Sequence, residues 1–218
     1  DERGLLVGRT DLVRHEGSGP NPDRQEAAHV HMAVAGPDGL VSAVDLGTDE
    51  IRSYRLSGDG RLSALSVSAL PPGTGPRQLV RRPGTDLAYV VGELAGTLLT
   101  VREGPAGTFA VVGSAPATAS PSGENLVAHL ELTADRLYLS SRGPECLTAF
   151  AFDGDTVRPL ADHPSGRWPR HFALTGDRVY IAAQSDDAVV SFSLSAPELV
   201  TTYPIGSPSC VVVAPKRA

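Results

Sequence analysis

The sequence has a single lysine, Lys216, and no apolar run of the roughly 18 residues that a membrane-spanning helix needs. The other basic residues are arginines, which we attribute mainly to genome bias and not to phosphate binding. Because the formal net charge is −6, a surface for nucleic acid or anionic lipid is disfavoured. We therefore predict no nucleic-acid partner and no membrane partner.

Cysteine is also scarce. Cys146 and Cys210 are too few to build a disulfide framework, so we expect both thiols to be reduced. No secretory signal pattern is visible in the sequence. Together these two features predict a cytoplasmic protein.

Helical periodicity is nearly absent, and the 23 glycines and 18 prolines separate short runs of β-branched and aromatic residues. Such punctuated runs are typical of strands and hairpins. The clearest example is the stretch 73–101, which predicts three strands in succession. These strands are Gln78–Arg81, Leu87–Val91 and Leu98–Val101, and a fainter fourth strand follows at Phe109–Val112.

The second strand of this stretch and its exit recur four times along the chain. Aligning the copies places Asp45, Glu93, Arg142 and Gln184 at the strand exits, with separations of 48, 49 and 42 residues. A period in the forties with several strands per repeat predicts an all-β fold, a β-propeller of four-stranded antiparallel blades. The other candidates for fourth strands are Leu62–Val67, Val157–Leu160 and Leu199–Tyr203.

The number of repeats bears on domain organisation. Four full repeats and two partial ones are at the low end for a closed propeller. We therefore expect residues 1–218 to be a single β-propeller domain that forms the C-terminal part of a larger propeller. Asp1–Arg14 is interpreted as the last strand of an earlier blade, and Ile205–Val213 as the first strand of a further sheet.

Propeller blades surround a central channel, so the first strands and the loops that enter them are expected to converge. The residues at these points are His29, His31, Arg77, Asn125–His129, Arg170 and Pro208–Cys210. Arg77 and Arg170 each follow a proline, a combination that strand initiation alone does not require. The repeat therefore predicts a cationic channel entrance.

The long loop Glu16–Ala28 brings Arg24 and Gln25 just ahead of His29 and His31. Because side chains alternate along a strand, we expect the two imidazoles on one face. They form either an exposed pair or a zinc pair, and zinc is disfavoured because no third ligand of matching type recurs nearby. We predict no metal and no cofactor.

Several motifs carry a family resemblance. They are Gly17–Pro22, Arg24–Glu26, His29–His31, Asp45–Asp49, Gly75–Arg77, Glu93–Leu94, Ser141–Gly143 and Trp168–His171. In this order they cover nearly the whole chain, which resembles the lactonase-type seven-bladed propellers. That family includes bacterial propeller 6-phosphogluconolactonases and the fungal carboxymuconate cyclase. The resemblance implies seven blades in an intact member and a channel lined by a histidine, a glutamate and several arginines. It transfers these roles to His29, Glu93, Arg77 and Arg142, with Arg170 as a further candidate.

These residue types suit the hydrolysis of an anionic lactone. Arginine presents a planar fork to phosphate or carboxylate, so Arg77, Arg142 and Arg170 are candidates for binding the acidic group. Attack of water on a lactone carbonyl needs a base, for which His29 and Glu93 are candidates. It also needs a positive group beside the carbonyl oxygen, for which Arg142 is expected. The remaining expected substrate contacts are His31, Arg24 and Gln25.

Structural interpretations of the same residues remain open. Arg77 and Glu93 can form a salt bridge in the channel without any chemistry, and this is compatible with catalysis because an arginine partner keeps Glu93 ionised. For Asp45, the opening of a turn at the following residues is the favoured interpretation.

Two functional classes follow. The first is a metal-independent hydrolase that acts on an anionic sugar lactone, similar to a 6-phosphogluconolactonase, and uses a general base to activate the attacking water. A lactonising cyclase is a variant within this class. The second is a non-catalytic propeller that binds a ligand or a protein. The substrate partner is expected to be a small anionic lactone, and the sequence makes no prediction of oligomeric state.

Overall fold

The computed structural model describes residues 5–6, 8–121 and 123–214. Within these residues the chain forms four antiparallel sheets of four strands each, and consecutive strands are neighbours in every sheet. We refer to the sheets as blades 1 to 4 in chain order. The predicted all-β fold of four-stranded antiparallel blades is confirmed.

The strand bounds are as follows. Blade 1 contains β1 (Val30–Ala35), β2 (Leu40–Asp45), β3 (Glu50–Leu56) and β4 (Leu62–Ala69). Blade 2 contains β5 (Pro76–Arg81), β6 (Leu87–Gly92), β7 (Thr97–Glu103) and β8 (Phe109–Pro116). Blade 3 contains β9 (Leu126–Leu132), β10 (Arg136–Arg142), β11 (Cys146–Asp153) and β12 (Thr156–Pro164). Blade 4 contains β13 (Pro169–Thr175), β14 (Arg178–Ala183), β15 (Ala188–Ser193) and β16 (Ala196–Pro204). Short 3-10 turns occupy Pro37–Gly39, Pro105–Gly107 and Gln184–Asp186.

The turn between the second and third strands has one backbone feature in common in every blade. One residue of this turn has a positive φ, namely Asp49 (54°), Gly96 (64°), Glu145 (54°) and Asp187 (50°). In blades 1, 2 and 4 its carbonyl oxygen accepts a hydrogen bond from the residue that follows the fourth strand. The donors are the amides of Leu70, Ala117 and Ile205. The sequence repeat is therefore also a repeat of backbone hydrogen bonding.

This turn corrects the alignment predicted for blade 1. At three residues before the turn residue, the blades carry Leu46, Glu93, Arg142 and Gln184. Asp45 lies one place out of this register, so its predicted equivalence to Glu93 is wrong. A slip of one residue moves a side chain to the other face of a sheet. The Asp45 carboxylate accepts hydrogen bonds from the amides of His29 (2.7 Å) and Gly47 (3.0 Å), which bears out its interpretation as a turn-opening residue.

Apolar side chains fill the spaces between adjacent blades. Fully buried examples are Ile51 and Leu79 between blades 1 and 2, Tyr89 and Phe150 between blades 2 and 3, and Leu147 and Phe172 between blades 3 and 4. Each such burial stabilises the fold by about 1.5–3 kcal/mol, and the contribution exists only when the two blades are side by side. The first strands β1, β5, β9 and β13 contact one another in turn, as predicted for strands that converge.

The strands predicted at the two ends of the chain are absent among the described residues. Residues 5–6 and 8–14 form no strand, and residues 1–4 and 7 of the predicted strand Asp1–Arg14 lie outside the described residues. Ile205–Val213 forms no strand either. A strand needs a neighbour to satisfy its backbone groups, and the amide of Val211 instead donates to Nδ1 of His171 at 3.4 Å.

None of the helical segments in the described part of the chain has the length and apolar character that crossing a bilayer requires.

Replacing Asp49 by alanine should lower the free energy of unfolding by about 1–3 kcal/mol. The buried Asp49 carboxylate accepts hydrogen bonds from the amides of Gly73 (2.6 Å) and Gly75 (2.7 Å), and so fixes the loop that leads into blade 2. Urea unfolding followed by circular dichroism measures the loss. Glu145→Ala is the matched control, because Glu145 has the same positive φ but is exposed, and its stability should be almost unchanged. Equal losses in both variants would contradict this role.

Candidate functional site

A β-bulge interrupts every first strand close to its start. The pairing with the second strand skips His31 in blade 1, Arg77 in blade 2 and Arg170 in blade 4, and Ala128 has the corresponding position in blade 3. A bulge takes one residue out of the regular alternation of the strand, which re-aims its side chain. Two consecutive residues of one strand can then reach the same space.

The bulges line a common cleft of about 260 Å³. Each blade contributes the bulge residue and its successor, which gives the pairs His31–Met32, Arg77–Gln78, Ala128–His129 and Arg170–His171. Ser209, from the segment that follows blade 4, completes the lining. All the predicted channel positions except His29 thus contribute to the cleft: His31, Arg77 and Arg170, with Ala128 and His129 from Asn125–His129 and Ser209 from Pro208–Cys210.

Glu93 connects this cleft to arginines from three parts of the chain. It directly follows β6, and its side chain is 1% exposed. Oε2 of Glu93 accepts a hydrogen bond from Nη1 of Arg77 at 2.8 Å. Its Oε1 accepts from Nη2 of Arg24 at 2.9 Å and lies 3.0 Å from Nη2 of Arg142. The predicted Arg77–Glu93 salt bridge is present, within a larger ion cluster.

The cluster keeps Glu93 ionised. Burial alone would raise the pKa of this carboxyl, but the charges of Arg77 and Arg142 and the hydrogen bonds from Arg24 and Arg77 outweigh it and lower the pKa to about 2. Glu93 is therefore a carboxylate at any physiological pH. It accepts hydrogen bonds and orients guanidinium groups, and it has little tendency to take up a proton.

His31 lies against the same cluster. Nη1 of Arg77 is 2.7 Å from Nε2 of His31. Since a guanidinium can only donate, Nε2 is the acceptor and the imidazole proton is on Nδ1. Burial and then the charge of Arg77 lower the pKa of His31 below its usual value of 6.5, so the ring is neutral at pH 7.

Trp168 packs over the Arg142 guanidinium, with the Arg142 Cζ atom 5.5 Å from the ring centroid. Nε and Nη2 of Arg142 also donate to the carbonyl oxygens of Leu126 (3.0 Å) and Val127 (3.1 Å). Trp168 has a φ of +57°, a conformation that favours glycine, and Gly75 has the same φ ahead of β5. Backbone strain in a bulky residue is often associated with function, and here the ring helps to fix Arg142.

Two stacked imidazoles line the cleft. The ring centroids of His129 and His171 are 3.7 Å apart. Burial, followed by the charge of His129, lowers the pKa of His171 to about 4, so His171 is neutral at pH 7. His129 lies in the predicted channel segment Asn125–His129 and His171 in the motif Trp168–His171, but neither was predicted to be a site residue. A sequence signal for His171 is its position two residues after Pro169, which starts a strand. Gln78 has the same position after Pro76 and also lines the cleft.

Two predicted site residues lie elsewhere. His29 precedes β1, is half-exposed and pairs through Nε2 with Glu26 at 2.8 Å, so its predicted catalytic place beside Glu93 is not observed. His29 and His31 were expected on one face because side chains alternate along a regular strand, and the bulge in β1 breaks that alternation. Gln25 is fully buried, and its side chain bonds to the carbonyl oxygen of Leu46 (2.9 Å) and the amide of Asn21 (3.1 Å). It fixes the loop that carries Arg24 and cannot reach a substrate.

Among the described residues, no three His, Cys, Asp or Glu side chains are grouped closely enough to hold a metal ion. Cys146 is buried and Cys210 is exposed, and both are free thiols. Burial raises the pKa of the Cys146 thiol to about 11, which leaves it unreactive at neutral pH.

Known proteins share this architecture. The family described as "Lactonase, 7-bladed beta-propeller" matches residues 1–213. An uncharacterized protein of Lactococcus lactis is 37% identical over 146 residues, which are 65% of this chain and 42% of that protein. The 6-phosphogluconolactonase of Bacillus subtilis is 31% identical over 179 residues, which are 78% of this chain and 51% of that protein. The chain thus spans about half the length of the curated relatives it matches.

Solved structures agree with this comparison. The periplasmic gluconolactonase of Pseudomonas aeruginosa superposes with a TM-score of 0.82 at 28% identity, covering 92% of this chain and 60% of that one. A protein from Lactobacillus plantarum superposes with a TM-score of 0.84 at 28% identity, covering 92% of this chain and 62% of that one.

Glu93→Gln should lower the free energy of unfolding by about 3–5 kcal/mol, because it leaves three guanidinium groups without their carboxylate. Urea unfolding at pH 7 measures the loss. Glu26→Gln is the control, since Glu26 pairs only with His29 at the surface, and its stability should be nearly unchanged. Phosphate ions should restore part of the stability of Glu93→Gln by replacing the lost negative charge. A Glu93→Gln protein as stable as the wild type would rule out an ion cluster of this kind.

The same carboxylate predicts a response to acid. The pKa of Glu93 is about 2 when folded and about 4.5 when unfolded, so its contribution to stability is complete above pH 4.5 and is lost as the pH falls towards 2. Urea midpoints measured between pH 6 and 2.5 should therefore fall less steeply in Glu93→Gln than in the wild type. Parallel curves would show that Glu93 titrates normally.

Proposed function

The chain belongs to the lactonase family of seven-bladed β-propellers, and from this membership we propose that it carries the active site of a hydrolase for an anionic sugar lactone of the 6-phosphogluconolactone type. The observation that carries the proposal is the cleft itself, where arginines surround one shielded carboxylate and a neutral histidine. Two relatives bear matching names, the B. subtilis 6-phosphogluconolactonase and the P. aeruginosa gluconolactonase.

The general base in this proposal is His31. A base must be unprotonated at working pH and still basic enough to take a proton, which favours a pKa near neutrality. Glu93, with a pKa of about 2, fails the second condition. His31 is neutral at pH 7 and faces the cleft, and its Nε2 accepts a hydrogen bond from Arg77. Rotation of the His31 side chain away from Arg77 frees this nitrogen for water, while Glu93 keeps Arg77 in place.

The oxyanion is stabilised by guanidinium groups that are already fixed in place. Arg77 uses Nε and Nη1 in hydrogen bonds, and Arg142 uses Nε and Nη2. Within the described residues, Nη2 of Arg77 and Nη1 of Arg142 have no hydrogen-bond partner. Donors that are held in position before the reaction contribute most to transition-state stabilisation. Glu93 thus acts as the residue that orients both arginines.

The proposed reaction proceeds through a tetrahedral intermediate. His31 takes a proton from water while the water oxygen bonds to the lactone carbonyl carbon, and the carbonyl oxygen becomes an oxyanion beside Arg77 and Arg142. The carbonyl then re-forms, the bond from the carbonyl carbon to the ring oxygen breaks, and the ring oxygen takes the proton from His31. The product is an open-chain hydroxy acid, and no metal takes part in this scheme.

The proposal also covers the domain organisation and the location of the protein. We take the four blades as the C-terminal part of a single seven-bladed propeller domain, since the chain spans about 60% of its solved relatives. A cytoplasmic location stays a prediction, because the P. aeruginosa relative is named a periplasmic protein.

The test is hydrolysis of 6-phosphogluconolactone and gluconolactone, followed by pH-stat with spontaneous hydrolysis subtracted. His31→Ala should lower kcat by about 10²–10⁴-fold. His163→Ala, on the outer strand β12, is the control and should keep wild-type rates. His29→Ala decides between the two histidines: a loss in His29→Ala with none in His31→Ala would restore His29 as the base. A wild-type protein that hydrolyses neither lactone would leave the non-catalytic binding function.

The pH profile gives an independent check. The pKa of His31 is lowered, so kcat/KM should fall as the pH drops through a value below 6.5. The residual activity of His31→Ala should lack this acid limb. An acid limb that persists in His31→Ala would assign the base to another group.

A further inference from the structure

We infer that Arg170, together with the hydroxyl of Ser209, forms a subsite for the phosphate group of the substrate. The inference rests on the proposed lactonase function and deepens it, because it selects a phosphorylated lactone over a neutral one. It also separates the arginines of the site into those that act near the carbonyl and one that binds the remote anion.

Arg170 differs from the other guanidinium groups at the site, because no group among the residues that the structure describes holds it. Arg24, Arg77 and Arg142 are each held by Glu93. Arg170 lines the cleft at the bulge of β13, and its side chain makes no hydrogen bond or ion pair within the described part of the chain. All its N–H donors are available to an anion, and the planar fork of a guanidinium matches two phosphate oxygens.

The charge of the site favours a dianion. Four guanidinium groups and Glu93 leave three positive charges, since His31 and His171 are neutral at pH 7. A phosphate monoester brings about two negative charges. The tetrahedral intermediate adds one more at the carbonyl oxygen, while His31 gains one positive charge with the proton that it takes from water, so the net charge of the site falls to +1. A neutral sugar lactone would leave the site with a net charge of +3 at the same stage.

Ser209 supplies a second donor beside Arg170. It follows a proline, as Arg170 does, and it lines the same cleft. The segment that carries it is tied to β13 by the hydrogen bond from the amide of Val211 to Nδ1 of His171. The Ser209 hydroxyl is exposed and has no hydrogen-bond partner among the residues that the structure describes. A hydroxyl and a guanidinium on neighbouring segments are a suitable pair for phosphate oxygens.

The experiment compares the binding of two reaction products by isothermal titration calorimetry. 6-Phosphogluconate and gluconate share the carboxylate and hydroxyl groups, so the ratio of their Kd values reports the contribution of the phosphate. In the wild type we expect 6-phosphogluconate to bind more than 10-fold more tightly. Arg170→Gln should reduce this ratio by about 10-fold, as expected for the loss of a charge-assisted hydrogen bond. Ser209→Ala should reduce it by a smaller factor.

Arg136→Gln is the matched control. Arg136 lies at the other end of β10 from Arg142 and pairs only with Asp135 at the surface, so its ratio should equal that of the wild type. Arg170→Lys keeps the charge without the fork and should give an intermediate ratio, which separates a local effect from a folding defect. An unchanged ratio in a folded Arg170→Gln protein would overturn the inference, as would an equal loss in Arg136→Gln.

The same variants distinguish this inference from the proposed function. If the wild type hydrolyses neither lactone but Arg170→Gln still loses selective binding of 6-phosphogluconate, the phosphate subsite stands and the hydrolase proposal fails. If both lactones are hydrolysed and the ratio of their kcat/KM values is the same in Arg170→Gln and wild type, the hydrolase proposal stands and the subsite fails.

Discussion

The buried Glu93 carboxylate is the interaction on which the site depends. Its guanidinium partners come from the loop before blade 1, from blade 2 and from blade 3, so the cluster exists only when these parts are assembled. Removing such charges from water is costly, and a buried ion pair is often no more stabilising than apolar residues of similar volume. Stability alone therefore gives little reason to build the cluster. Its value lies in holding three arginines, which would otherwise repel one another, at the entrance of one cleft.

The four blades share a backbone structure, and the side chains that they direct into the cleft differ from blade to blade. Each first strand carries a bulge, and each bulge aims two side chains into the cleft. The bulge position is occupied by histidine in blade 1, arginine in blades 2 and 4 and alanine in blade 3. The small Ala128 leaves room there, and Nε of Arg77 donates to its carbonyl oxygen at 2.6 Å. Substitution at a few equivalent positions can therefore change the site without changing the fold.

The sequence predicted the blades and much of the cluster, since strand runs and turn residues repeat with a period that only a few folds share. It failed where the outcome depends on register or on contacts far apart in the chain. Alignment of the repeated second strands pairs Asp45 with Glu93, although the positive-φ turn residues set Asp45 one place away. His29 and His31 were predicted to lie on one face of a strand, because the order of polar and apolar residues does not reveal the bulge in β1. Gln25 has a polar side chain of a type that often binds substrates. Only the folded loop shows that its amide group is hydrogen-bonded to the backbone of Asn21 and Leu46.

The depressed pKa of Glu93 also explains why a carboxylate can lie at the centre of a site for anions. A carboxyl that gained a proton near neutral pH would release its arginines and let them rearrange. With a pKa of about 2, Glu93 keeps its charge at physiological pH, so Arg77 and Arg142 stay paired with it. The cost of ordering these long side chains is then met during folding and not during the reaction. A residue that is unsuited to proton transfer thereby prepares the site for a reaction in which His31 moves the proton.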